Sequence, residues 1–259
     1  MDPLQAIAAI ILALPASPVF WGLSASAVFA GLIRGFSGFG TALAFMPGAG
    51  ALVTPAVALP VMIIIDTVPI LPFLPRAIRH CNKRDVALLV AGCAVTVPIG
   101  VWLLLVLDPV IMRWAIVTII LVLVAALAFN LRYRGQPTTV LTFATGLVSG
   151  IFGGMAGLSG PPVIIMWLAG QNNAERVRAN TMVFLASLTV ITGTTLFLNG
   201  LFTLRAVAYG IALMPFYGLG LFLGARLFPL ASERTFRRVA FALIALGAII
   251  TMPVFDNVF

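Results

Sequence analysis

Arg34 stands in the segment Gly31-Leu32-Ile33-Arg34-Gly35-Phe36-Ser37-Gly38-Phe39-Gly40, and no other charged residue lies between Asp2 and Asp66. A guanidinium in so apolar a run costs at least ~2.5 kcal/mol on insertion scales. It therefore calls for compensation. An anionic substrate would supply it, because the guanidinium binds oxyanions in a two-pronged geometry. An ion pair with Asp66, or snorkelling to an interface, would serve as well. Asp66 sits in the middle of the apolar run Met62-Ile63-Ile64-Ile65-Asp66-Thr67. Three roles stay open for it: carrying a coupling proton or sodium ion, neutralising Arg34 when the site is empty, or a structural hydrogen bond.

The same chemistry has a second, weaker copy. Gly31, Leu32, Gly35, Gly38, Leu43 and Pro47 recur 115 residues on as Gly146, Leu147, Gly150, Gly153, Leu158 and Pro162. Glycine and proline at this density break helices, and half-helix N-termini present free N–H groups and a positive dipole end to an anion. The candidate substrate contacts are Arg34, Gly35, Ser37, Gly38, Phe39 and Gly40 in the first segment. In the second they are Gly153, Gly154, Ser159 and Gly160. The competing reading is that the glycines only allow helices to pack closely.

The elements that hold these segments are membrane helices. Of the 259 residues 62% are hydrophobic and 8% charged, with a mean hydropathy of +1.17, against about 25% charged in soluble domains. Each glycine segment precedes three apolar runs: Pro55–Leu74, Val86–Leu107 and Val110–Leu131, then Thr181–Leu198, Leu204–Phe228 and Phe236–Pro253. Runs near 20 residues span a bilayer as helices. Phe20–Val53 is expected to break at Gly35–Gly40 and again at Pro47, and Val140–Ala169 at Gly153-Gly154, Gly157 and Ser159–Pro162. If both segments cross once, the loop arginines and lysines divide evenly between the two sides. If both are re-entrant hairpins, all but Arg113 and Arg205 fall on one side, as the positive-inside rule requires.

The expected fold is thus an all-α membrane protein of two inverted repeats, each a broken, glycine-rich hairpin plus three transmembrane helices. Residues 1–17 form a short apolar segment, with Leu4–Leu14 an interfacial or partly inserted helix; residues 18–134 are the first repeat and 135–259 the second. Broken helices in inverted repeats describe many secondary transporters.

Other classes fit poorly. The net charge of +8 comes from arginines in short loops, which suits lipid head groups rather than nucleic acid. One histidine, two cysteines and seven acids offer no metal or catalytic constellation, so neither an enzyme nor a cofactor is expected. His80 lies among basic loop residues, and Cys81 and Cys93 read as packing thiols.

The chain resembles the sulfite exporter TauE/SafE family of bacterial membrane transporters. The resemblance rests on Gly31–Gly40, on Gly146–Met155, and on Pro161-Pro162, within a duplicated layout from about Phe20 onward. It implies transport of sulfite, sulfonates or related organic acids across the inner membrane. Arg34 departs from the small or apolar residue of many relatives, which suits a sulfonate or carboxylate and puts plain sulfite in question. The resulting expectation is alternating-access transport of a small anion, with the bilayer as the other partner. A small-anion channel or a carrier of non-sulfur carboxylates is the alternative, and homodimer formation is left open.

Overall fold

The structure is a computed structural model that describes residues 3–129, 137–167, 174–227 and 233–255. Among them it is helical throughout, in chain order α1 (Pro3–Ala13), α2 (Pro18–Ser37), α3 (Thr41–Leu52), α4 (Pro55–Ile70), α5 (Leu74–His80), α6 (Lys83–Val106), α7 (Pro109–Ala128), α8 (Thr139–Ala156), α9 (Gly160–Trp167), α10 (Ala174–Leu198), α11 (Leu204–Leu227) and α12 (Glu233–Ile250). Six of these are long and apolar enough to cross a membrane: α2, α6, α7, α8, α10 and α11. The chain is a multi-pass helical membrane protein. The expected span ends at Leu131 and Phe228, and the join between the repeats at 132–136, lie outside the described residues.

The chain forms two compact units. The first takes Met1–Asp66, Leu107–Leu121 and Leu196–Phe259, and the second takes Thr67–Val106 and Val122–Thr195. These units do not follow the two sequence halves. Each combines the glycine segment of one half with the second long span of the other.

In the first unit, α2 and α3 form an antiparallel hairpin. A methyl group added at Gly22 would sit 2.7 Å from Leu52, and one at Gly48 would sit 2.6 Å from the Ser26 hydroxyl. The arms are unequal. At about 1.5 Å per residue, α2 is about 30 Å long and α3 about 18 Å. The break is confined to Gly38–Gly40, with Gly38 at φ 77° and Gly40 at φ 95°, a region that side chains with a Cβ avoid. Two expected breaks are absent: Gly35 lies within α2, and Pro47 sits inside α3 without ending it. Proline is tolerated inside membrane helices where neighbouring groups re-satisfy the backbone.

Gly35 instead serves packing. A Cβ there would collide with the Leu221 carbonyl, one at Gly31 with the Tyr217 carbonyl, and one at Gly220 with the Val28 carbonyl. Successive contacts advance together along both helices, so α2 and α11 run parallel with backbones touching. Close glycine contact of this kind replaces the hydrophobic drive that lipid removes.

The second unit repeats the device with α6 and α8. A Cβ at Gly92 would sit 2.6 Å from the Phe143 carbonyl and 2.9 Å from the Leu147 nitrogen. Gly154 likewise abuts Val97, Val101 and Gly100, so it and Gly153 lie inside α8 rather than breaking it. The neighbours of Gly92, Phe143 and Leu147, are Val28 and Leu32, the neighbours of Gly220, moved on by the same 115 residues. The helix break here is only Gly157–Ser159, and Pro161 and Pro162 fall in the first turn of α9, where their missing N–H groups do least harm.

Candidate functional site

Arg34 occupies the last turn of α2, whose closing glycine, Gly38, donates its N–H to the Arg34 carbonyl at 2.8 Å. The side chain runs to the hairpin tip, where Nη1 donates to the Gly38 carbonyl at 2.9 Å. Nε lies 3.4 Å from Asp66 Oδ1, so the ion pair expected as one alternative is present. Arg34 is 9% exposed and the Asp66 side chain 16%. The pair is largely withdrawn from solvent, and neither charge could remain there alone cheaply.

Two further side chains hold the carboxylate. Thr41, the first residue of α3, donates to Asp66 Oδ1 at 3.0 Å, and Tyr217 of α11 donates to the same oxygen at 2.5 Å. Thr41 Oγ1 and the Tyr217 hydroxyl are 3.0 Å apart, closing a triangle of oxygens. With Asp66 ionised, both hydroxyl hydrogens point at Oδ1. None of these donors uses Oδ2, which the described residues leave without a hydrogen bond. Sequence reasoning missed Thr41 and Tyr217. Thr41 directly follows the tip glycines, and Tyr217 is a phenol in an apolar span, where a buried hydroxyl needs a partner.

The other first-segment candidates surround this cluster. The Ser37 hydroxyl is 2.7 Å from the Ile33 carbonyl and 2.6 Å from the Phe39 carbonyl, and the Phe39 N–H reaches it at 3.4 Å. Ser37 therefore braces the turn in this structure. Gly38 and Gly40 shape the break; Gly35 faces α11. The N-terminus of α3 leaves Thr41, Ala42 and Leu43 with N–H groups that its own helix does not use.

The second-segment candidates lie in the other compact unit. Gly157 ends α8 with its N–H on the Gly153 carbonyl at 2.8 Å, and the Leu158 N–H reaches the Phe152 carbonyl at 3.1 Å. This is a helix end of the αL kind, a left-handed glycine whose N–H closes on the carbonyl four residues back. Ser159 precedes α9, is 1% exposed, and its hydroxyl has no hydrogen-bond partner among the described residues. It presses on Gly153, where a Cβ would sit 2.5 Å from its Oγ. Gly160 opens α9, but Pro161 and Pro162 remove two of the N–H groups that a helix start would offer. Ser149 occupies the position 115 residues on from Arg34 and is likewise buried without a partner. The polar cluster has no equivalent there, because the charged residue of the first copy is a serine in the second.

His80, exposed at the end of α5, contacts the Arg76 carbonyl at 2.8 Å. Cys93 is buried and donates its S–H to the Gly146 carbonyl at 3.1 Å, and Cys81 is also free. Trp167 is buried edge-on to Phe184, their ring centres 6.3 Å apart.

Comparison with known proteins agrees with this architecture. The family model described as "Sulfite exporter TauE/SafE" matches residues 23–251. A curated relative from Cupriavidus necator, named "Probable sulfite/organosulfonate exporter TauE", is 30% identical over 189 residues, 70% of this chain and 72% of its own. No solved structure matches the chain. Bacterial outer membranes house β-barrels, so a bundle with six spanning-length helices is a multi-pass protein of the inner membrane. The chain belongs to the sulfite exporter TauE/SafE family of membrane transporters.

Proposed function

We propose that this transporter moves a small anion with a strong acid group, an organosulfonate or sulfite-like species, by alternating access. The observation that carries the proposal is the Arg34–Asp66–Thr41–Tyr217 cluster at the tip of a broken helix pair. A buried cation paired internally is neutral at rest, and an oxyanion reaching the free Nη2 edge of Arg34 would compete with Asp66 for it. Thr41 and the N–H groups at the start of α3 add donors that suit an anion. Ser159 and Gly160, with Gly153 and Gly154 behind them, would offer anion contacts of their own at the second helix break. The similar glycine packing of α2 on α11 and of α8 on α6 supports a duplicated design. The name of the Cupriavidus relative favours the sulfur-anion class.

Charge balance gives Asp66 its role. Arg34 and Asp66 sum to zero, and a monovalent anion added to them leaves one net negative charge in a desolvated site. A proton on Asp66 Oδ2 restores neutrality without disturbing the three donors on Oδ1. The expected stoichiometry is one proton with each monovalent anion, moved together. Gradients, not residues, then set the direction.

The test is thermal unfolding of the purified protein with isethionate, taurine, sulfoacetate, sulfite, sulfate or acetate. A ligand bound only by the folded state raises the midpoint with its concentration. One or more sulfur anions should do so for the wild type and not for Arg34→Ala. If no anion shifts the midpoint while a cation or neutral solute does, the proposal fails. Counterflow of labelled substrate in proteoliposomes separates a carrier from a channel, since an open pore does not exchange one molecule for another.

A further inference from the structure

We propose a second anion site, distinct from the Arg34 cluster: a basic cavity at the head of α6 that binds the phosphate of an anionic lipid. The cavity is about 550 Å³ and is lined by Arg79, His80, Asn82, Lys83, Arg84 and Arg176. That volume is ordinary for a small-ligand pocket.

The cations are gathered there by a specific fold. Asn82 links α5 to α6, and its N–H donates to the Oδ1 of Asn180 at 2.7 Å. Asn180 is 1% exposed, one turn beyond Arg176 on α10, so this bond brings Arg176 against the α5–α6 loop. Asn82 also caps α6, its Oδ1 accepting from the N–H groups of Arg84 at 3.2 Å and Asp85 at 3.4 Å. The positive end of a 24-residue helix thus opens on the same space. Four permanent cations face it, and the neighbouring carboxylate, Asp85, is engaged by the Asn82 side-chain amide at 2.7 Å. Like charges held together by a capped, hydrogen-bonded loop await an anion.

The surroundings favour lipid as its source. Ile78, directly before the lining residue Arg79, is 43% exposed. Apolar side chains beside a basic pocket on a membrane protein suit acyl chains and head group respectively. A free phosphate shares the head-group chemistry and would use only the cations.

The experiment uses the full chain in detergent. Retention of added cardiolipin is followed by native mass spectrometry, with phosphatidylcholine and inorganic phosphate as the other arms. The variants are Lys83→Ala/Arg84→Ala, both exposed positions, and Arg178→Ala/Arg226→Ala, which removes the same charge outside the cavity. A basic side chain near an anionic head group contributes about fivefold in affinity. The first variant should therefore bind cardiolipin roughly 30-fold more weakly than wild type, while the second retains it. Phosphatidylcholine should not be retained. Displacement of cardiolipin by millimolar phosphate, or phosphate stabilisation lost in the first variant, supports the cavity as the phosphate site and widens its source. Equal cardiolipin binding by both variants, or equal retention of both lipids, overturns the proposal.

Discussion

Replacing Asp66 with asparagine removes one charge while keeping the side chain's shape, and its consequence follows from the geometry. Arg34, 9% exposed, would lose its counter-charge 3.4 Å away and keep only the Gly38 carbonyl. Breaking a buried pair by removing one partner costs 3–5 kcal/mol, and the residual exposure of Asp66 places this one at about 3 kcal/mol. For a chain of this size that lowers the unfolding midpoint by roughly 6–12 °C. The same substitution frees the guanidinium for an external anion. Isethionate or sulfite at about 100 times its dissociation constant for the variant should restore about 2.7 kcal/mol, and the same concentration should stabilise the wild type less, because Asp66 competes there. The assay is thermal unfolding in detergent with and without the anion. Adding Arg34→Ala to Asp66→Asn should relieve most of the loss, since no unpaired charge then remains. If Asp66→Asn melts with the wild type, or gains nothing from any anion, the pair is not the electrostatic centre described here.

Tyr217→Phe deletes one donor to a carboxylate and should cost about 1.5–3 kcal/mol, read in the same unfolding assay, with substrate uptake in proteoliposomes losing its response to a pH gradient if the cluster carries the proton. Gly220→Ala should destabilise by about 1–3 kcal/mol because its methyl would strike the Val28 backbone, whereas Gly218→Ala, which points into open space, should be neutral or stabilising by a few tenths to 1 kcal/mol. Gly153→Ala should be destabilising, and Ser159→Ala should rescue it, since the contact at 2.5 Å is with the Ser159 hydroxyl and the next neighbours lie at 3.3 and 3.4 Å. Ser149→Ala removes a buried hydroxyl without a partner and should raise the midpoint by the equivalent of about 1 kcal/mol or leave it unchanged.

Charges were legible in the sequence because they are so scarce in it. Arg34 and Asp66 stood out against an apolar background, and the structure pairs them. Hydroxyls carry no such contrast: Thr41 is one of many membrane threonines, and Tyr217 lies 151 residues from the carboxylate it meets. Glycine misled in a different way. Its density located both helix breaks, but Gly35, Gly153 and Gly154 are helical, and only Gly38, Gly40 and Gly157 hold the left-handed backbone that ends or begins a helix there. Composition cannot separate a glycine that bends the chain from one that admits a neighbouring backbone, because both need the missing Cβ. The 115-residue recurrence was visible as a repeat, yet it carried no sign that each glycine helix would choose its partner from the other half.

That exchange of helices bears on how the protein is made. When the first half leaves the ribosome, the glycine face of α2 has no α11 to receive it, and α6 waits in the same way for α8. Insertion of single helices can proceed in order, but the second compact unit cannot close until the chain has been made as far as α10, and the first cannot close until synthesis has passed α11. A newborn chain therefore spends part of its synthesis with glycine seams open to lipid or to a neighbouring copy. The two halves expressed as separate polypeptides should complete one another in the membrane, each providing the helix that the other lacks.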